Sequence, residues 1–455
     1  MLTQSFLSKK LQAIVFFFIV SLLSIHGCTC EKSPQTLNGA KTAKDIPLWL
    51  KDGSIARVEL ARPSDGKVLA RLQKKIPELH STGFTAIWVS TIVPTSALYR
   101  QGEPTDPVPT QDFLSVADDF GTIDDFKAFV EQCHDTGLMV ILDLALKYTA
   151  WDSKIVQEHP DWFRTNEEGA IVAPNIEWSN VADLNFEHHE LRKYMIGVLR
   201  YWSNDIGVDG FAFQKADLIP LDFWERARKE VEATRPIVFL GQSNVPEHHL
   251  EVFDATYAND GGIPGFERRE VPVGLSKMLE NEATAFPAGY SRLRMSLVLS
   301  DYPQADTVST PENPLDAVNT TLVYSLPGIP VTVLKMERLN QRSSLQTSLA
   351  LVAKLNSLRQ EHNEMVSGGI IERKLSESET FFAYERRLQN IRILFLLNYA
   401  PEPQDILLQL PQNFQGGFGD FLSGATILPA EGNLRFFVRP QDAKILTRTS
   451  EGTPR

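Results

Sequence analysis

From Trp49 onward, short apolar strands alternate with amphipathic helices, and this alternation limits the fold more than any other feature of the chain. Ile55–Leu60 reads as a strand. Leu69, Leu72, Ile76 and Leu79 then mark one face of a helix. Thr85–Val89 reads as a strand and Asp124–Thr136 as a helix, with Gly137 placed for a C-cap. The pattern continues with a strand at Val140–Leu144 and a helix striped by Met195, Val198, Leu199 and Trp202. A strand at Gly210–Phe213, a helix at Asp222–Ala233 and a strand at Ile237–Leu240 follow. Later come a strand near Leu297–Leu299 and a helix carrying Leu345, Leu349 and Val352. Repeated β-α units over about 300 residues imply a parallel sheet. The span suits a (β/α)8 barrel, although periodicity alone does not separate that from a doubly wound sheet.

Two parts of the chain depart from the pattern. Residues 148–186 form a long excursion after the third strand, holding Trp151, Trp162 and Trp178. After about residue 365 the helix signal stops. Thr380–Arg386 and Ile391–Tyr399 read as a hairpin, with further strands at Ile406–Leu410 and Leu434–Val438. Residues 363–455 are therefore expected to form a β-sandwich domain behind a barrel domain at 47–362.

The N-terminus is distinct again. Lys9 and Lys10 precede residues 11–25, which are almost wholly apolar. A membrane span needs about 20 residues, so this run fits a signal-peptide core better. Ile25-His26-Gly27-Cys28 resembles a bacterial lipoprotein cleavage box, which makes 1–27 a signal peptide, Cys28 the lipidated residue and 28–46 a polar tether. The resulting lipoprotein would work in the periplasm or at the cell surface. The alternative is an uncleaved signal anchor, giving a single-pass type II membrane protein with Lys9 and Lys10 in the cytoplasm. With three cysteines, Cys133 falling on a helical apolar stripe, the chain is no disulfide scaffold. The net charge of -12 and the lack of a basic cluster argue against nucleic-acid binding.

The order of phrases resembles glycoside hydrolase family 13, the α-amylase family. Phe84-Thr85-Ala86-Ile87-Trp88-Val89 is similar to its second barrel strand, and Val140-Ile141-Leu142-Asp143-Leu144 to its third. Asp112-Phe113, Phe120-Gly121-Thr122 and Asp125-Phe126 resemble its segment leading into the next helix. His159-Pro160-Asp161-Trp162-Phe163 and Asp183-Leu184-Asn185-Phe186 resemble phrases around its inserted domain. Gly207-Val208-Asp209-Gly210-Phe211 resembles the entry to its nucleophile strand, and Leu326-Pro327-Gly328-Ile329-Pro330 its late Leu-Pro-Gly-x-Pro phrase. The resemblance covers residues 47–362 and implies a (β/α)8 barrel with a short insertion after strand 3 and a C-terminal all-β domain.

Retaining glycoside hydrolysis needs two carboxylates about 5–5.5 Å apart, a nucleophile and an acid/base. The resemblance places the nucleophile at Gln214, in Gly210-Phe211-Ala212-Phe213-Gln214, with Ala212 where the family has arginine. It places the acid/base at Gln242. An amide keeps the size and hydrogen-bonding capacity but loses the ionisable proton, so neither role is available. Asp143 is retained, as is Asp301, the carboxylate that orients substrate hydroxyls in the family. Lys147 stands where an asparagine often helps to bind calcium, so no calcium is expected there and the ammonium would take its place. Tyr148 and Ser300 replace sugar-contacting histidines, and the late Tyr-x-Gly-Glu phrase is lost at Val333 to Glu337.

The resulting expectation is an exported, membrane-tethered pseudoenzyme that binds α-glucan or another oligosaccharide, or scaffolds a protein partner. Its ligand-contact candidates are Tyr148, Trp151, Trp162, Trp178, Ser300 and Asp301. One alternative is an ancillary subunit similar to the heavy chains of amino-acid transporters, against which stands the single sequon Asn319-Thr320-Thr321. The other is a glycosidase or transglycosidase using non-standard groups drawn from Asp143, Asp217 and Asp301. The pairs His188-His189 and His248-His249 are expected at a solvated surface rather than on a metal.

Overall fold

The computed structural model describes residues 42–60, 67–96, 107–258, 271–272, 274–296, 315–336, 342–362, 365, 369–376, 378–388, 391–410 and 416–449. The N-terminal segment with Cys28, the expected strand at Leu297–Leu299, and Ser300 and Asp301 lie outside them. No helix among the described residues is long and apolar enough to cross a membrane.

The strands are β1 (Ile55–Glu59), β2 (Ala86–Val89), β3 (Met139–Leu144), β4 (Tyr148–Ala150), β5 (Val181–Asp183) and β6 (Gly210–Phe213). They continue with β7 (Val238–Gln242), β8 (Ala255–Tyr257), β9 (Leu293–Ser296) and β10 (Ile329–Lys335). All but β4 and β5 join one parallel sheet in the order β8-β7-β6-β3-β2-β1-β10-β9. A parallel bridge between Thr256 and Arg292 links the two outermost strands, so the sheet closes into a (β/α)8 barrel. β4 and β5 pair antiparallel within the excursion after β3.

Alternation along each strand separates two cores. Ile55, Ala86, Trp88, Ile141, Ala212, Val238, Leu240, Ala255 and Tyr257 fill the barrel interior. Ala56, Val58, Ile87, Val89, Val140, Leu142, Phe211, Phe213 and Phe239 pack outward under the helices. Two buried aspartates hold strand neighbours in register. Asp209 accepts from the Val140 N–H at 2.8 Å, and Asp254 accepts from the Phe239 N–H at 2.8 Å. Gly328, in the Leu-Pro-Gly-Ile-Pro phrase, has φ +110°, and a Cβ there would meet the Arg292 carbonyl oxygen at 2.4 Å. The phrase therefore needs glycine to let β9 and β10 approach.

The helix expected through Leu69 and Leu79 is two helices, Val68–Gln73 and Ile76–Ser81. Pro77 lacks an N–H and its ring would clash with the preceding turn, so one continuous helix is excluded. His248 and His249 are 3% and 1% exposed, which corrects the expectation of a solvated pair. His248 packs on Phe253, and His249 packs on Phe286 and accepts or donates to Thr256 Oγ1 at 2.9 Å. Burial pushes His249 down to about 3, so it stays neutral. His189 is exposed and His188 half-buried. Cys133 is a buried free thiol.

Beyond the helix Arg342–Glu361, the chain forms β11 (Gly369–Glu372), β12 (Phe381–Leu388), β13 (Ile391–Asn398) and β14 (Gln404–Gln409). It ends with β15 (Gly417–Asp420), β16 (Thr426–Ile427), β17 (Asn433–Val438) and β18 (Asp442–Thr449). The expected hairpin is β12 with β13. A six-stranded sheet β11-β12-β13-β18-β15-β16 faces the pair β14-β17. Phe381, Ala383, Leu396, Ile406, Leu434 and Phe436 fill the space between them. The opposite face of β12, with Phe382 and Tyr384, joins the core of the barrel helices. Tyr399 Oη donates to Asn319 Oδ1 at 3.1 Å. Asn319, 5% exposed, is thus unable to carry a glycan in the folded chain.

Candidate functional site

In barrels of this kind the reacting groups sit at the C-terminal ends of the strands. Inward positions recur every second residue, so on β7 the series Val238, Leu240 ends at Gln242. On β6, Ala212 faces inward and Gln214 follows one step past the strand. Phe213 pairs with Gly241 across the two strands, so Gln214 and Gln242 occupy equivalent places on adjacent strand ends. Asp143 on β3 pairs with Ala212 and lies on the same interior face.

Gln214 Nε2 donates to Asp143 Oδ1 at 3.0 Å. The Arg57 guanidinium, on β1, reaches Asp143 Oδ2 and Glu59 Oε1, each at 3.9 Å. It also lies 4.7 Å from the Trp88 ring centroid, with Nη1 3.9 Å from Met295 Sδ. Asp143 is 1% exposed. Burial pushes its carboxyl up to about 6, against the pull of the Arg57 charge and the Gln214 amide. Among the described residues, Arg57, Asp143 and Gln214 are thus linked side chain to side chain at these strand ends.

Gln242 is committed in a different way. Its Oε1 accepts from the Lys215 backbone N–H at 2.7 Å. Lys215 has φ +52°, a left-handed conformation that costs a non-glycine residue about 1–2 kcal/mol, and the Gln242 bond helps to hold it. The turn carries the Lys215 ammonium to 5.2 Å from the Trp178 ring centroid. Trp178 in turn meets Tyr148 edge to face at 5.7 Å.

Beneath Tyr148, Lys147 Nζ forms an ion pair with Asp183 and donates to the Leu184 carbonyl at 2.9 Å. Arg164 reaches the other Asp183 oxygen at 3.5 Å. Burial pulls the Lys147 ammonium below the usual lysine value, while the Asp183 carboxylate holds it up. Among the described residues, no group of three or more histidine, cysteine or acidic side chains is placed to hold a metal.

The structure therefore brings Gln214, Gln242, Asp143, Tyr148 and Trp178 to the β3, β6 and β7 side of the mouth. It does not bring every expected residue there. Trp162 is 6% exposed and stacked on His159 at 3.9 Å, and Tyr148 is 3% exposed under the edge of Trp178, so both are packing residues and not sugar platforms. Trp151 is half-buried and bonds the Ser179 carbonyl through Nε1 at 2.9 Å. Asp217 is exposed on the short turn Ala216–Leu218. Arg57, Glu59 and Lys215 went unnoticed in the sequence. The signal was there for two of them: Arg57 and Glu59 are charges at alternate positions of an otherwise apolar strand.

The family model described as the α-amylase catalytic domain matches residues 64–175. The α-amylase MalA of Haloarcula japonica is 22% identical over 439 residues, covering 87% of this chain and 64% of that protein. An α-1,4-glucan:maltose-1-phosphate maltosyltransferase of Rhodospirillum rubrum is 26% identical over 258 residues, covering 52% and 37%. The chain thus spans less than two thirds of either relative. Among solved structures, the maltogenic α-amylase AmyB of Thermotoga neapolitana superposes with a TM-score of 0.71 at 24% identity, covering 88% of this chain and 99% of that one. An α-amylase of Lactobacillus plantarum gives 0.70 at 23% identity, covering 88% and 100%. Those structures share the fold, and the family model over residues 64–175 and the relatives make the chain similar to the α-amylase family, glycoside hydrolase family 13.

Proposed function

We propose that the chain is a non-hydrolysing member of the family that binds an oligosaccharide at the barrel mouth. The observation that carries this reading is the pair of amides on adjacent strand ends. Gln214 and Gln242 stand at the nucleophile and acid/base positions, and both are tied into internal hydrogen bonds. Neither offers a nucleophilic oxygen or a transferable proton. A carbohydrate ligand is supported by relatives named for α-glucan chemistry and by the structure of the Geobacillus thermoleovorans α-amylase complexed with acarbose. In this reading the Lys147 ammonium, bonded to Asp183, does the structural work of the calcium implied by the family, and a second cation at that point would be repelled. The N-terminal segment, through Cys28 or as a signal anchor, would hold the domain at a membrane surface.

A second reading, an active enzyme with relocated carboxylates, draws on Asp143 at about 6 and on Glu59 beside it. Arg57 contacts both, and its charge pulls the Asp143 carboxyl toward the ionised form, which opposes the use of Asp143 as a proton donor.

The binding reading is tested by calorimetric titration with maltohexaose. Trp178 presents a half-exposed ring beside Tyr148. Trp178→Ala is expected to weaken binding about tenfold, the upper range for one aromatic contact. The buried Trp162→Ala would instead act through folding, so circular dichroism of each variant separates the two effects. No binding by the parent, or full affinity in Trp178→Ala, would contradict the proposal.

A further inference from the structure

We infer that the floor of the barrel, at the N-terminal ends of its strands, is the face that lies on a lipid bilayer, with the mouth turned away from it. The inference rests on the reading that the N-terminal segment holds the chain at a membrane. It starts from the strap of residues 42–54 that leads into β1. Thr42 forms a parallel bridge with Ala288, just ahead of β9. The Ala43 N–H donates to the Ala288 carbonyl at 2.8 Å, and the Lys44 N–H donates to the His249 carbonyl at 3.0 Å. Lys44 Nζ reaches Glu232 at 3.4 Å and the buried Asp254 at 3.6 Å. The short helix Leu48–Lys51 then caps the floor. Its Leu50 is buried among the interior side chains of the barrel, with Ile46, Trp49 and Met139 packed against them. Gly53 closes the strap, since a Cβ there would meet the Trp49 carbonyl oxygen and Thr85 Oγ1, each at 2.1 Å. The chain therefore enters the barrel at its floor.

The point of entry decides which face can meet the bilayer. If Cys28 carries the lipid, residues 29–41 separate it from Thr42, and thirteen residues span at most about 45 Å when fully extended. A mouth-down chain would need them to pass outward beneath a strand and a helix, about 20 Å, then along a helix as long as Ile123–Asp135, about 20 Å, and past the insertion, about 10 Å more. That route uses the whole contour. With an uncleaved anchor ending at Ile25 the limit is about 55 Å, and the segment would still be drawn taut at the cost of its conformational entropy. A floor-down chain needs no such stretch. The floor also offers a lipid contact. Leu48 is 72% exposed, with Trp49 half-buried and Lys51 exposed on the same short helix. An apolar side chain, an indole and a flexible ammonium within one turn suit the headgroup region. The exposed Asp45 offsets the Lys51 charge, so apolar surface makes the contact rather than attraction to anionic lipid.

The test reconstitutes the full chain in phosphatidylcholine vesicles with a photo-cross-linker placed either at the floor, Leu48→benzoylphenylalanine, or in the insertion at the mouth, Ile176→benzoylphenylalanine. Ile176 is the matched comparison, because it is apolar and 91% exposed. Circular dichroism checks that both variants are folded, and mass spectrometry after irradiation counts the lipid adducts at each site. The floor site is expected to give at least about fivefold more adduct than the insertion site. Equal adduct, more adduct at Ile176, or none at either site on a chain that sediments with the vesicles would overturn the inference and leave membrane anchoring intact. A chain that does not sediment with the vesicles would remove the membrane reading together with this one.

Discussion

Gln214→Glu is expected to cost about 3 kcal/mol of folding stability at pH 7.5 and about 1 kcal/mol at pH 5. The Gln214 amide donates to Asp143 at 3.0 Å, and a glutamate there would set two carboxylates against each other beneath the barrel mouth. Asp143 already titrates at about 6 because of burial. A group raised in this way is stabilising when protonated, so its contribution grows as pH falls from about 6 toward its unfolded value near 4. A second carboxylate strengthens the trend, because one shared proton restores a donor. His248 and His249, whose pKa values are lowered by burial, slope the other way, but equally in parent and variant. Urea unfolding of both proteins at the two pH values measures the difference. An equal loss at both would show that the Gln214–Asp143 contact is not the cause.

Lys147→Met is expected to be more severe, at about 3–5 kcal/mol, because it leaves Asp183 buried without its cation. Arg164 also reaches Asp183 but is 57% exposed, and a screened charge at 3.5 Å does not replace a buried one. Lys147→Asn replaces the cation by an oxygen ligand, so its loss should be partly recovered on adding calcium. The melting temperature of the parent should respond neither to calcium nor to a chelator. A parent that loses stability on chelation would refute the substitution of an ammonium for the ion.

Much of the barrel was legible because its strands are short apolar runs between amphipathic helices. β1, β2, β3, β6 and β7 fall within one or two residues of their expected places. β8, β9 and β10 were harder for physical reasons. β8 is only Ala255–Tyr257. β9 contains Arg294, buried because Glu282 accepts from it at 3.0 Å, so the strand does not read as apolar. β10 contains Pro330, which normally demotes a run of β-formers. The site was legible at Gln214, Gln242 and Asp143, where motif position and strand alternation agree. It was not legible at Arg57, because a guanidinium that crosses from β1 to Asp143 on β3 depends on barrel closure and on Trp88 beneath it. Nor did sequence separate Trp178 from Trp162. Both lie in one insertion, and only the fold buries Trp162 against His159 and leaves Trp178 beside Lys215.

The proposed absence of hydrolysis is measured directly by release of reducing ends from maltohexaose by the purified parent chain. The expected rate is no greater than that of the heat-denatured protein, at pH 5 and at pH 7. Turnover by the parent that disappears in Asp143→Asn or Asp301→Asn would contradict it and would assign the chemistry to relocated carboxylates.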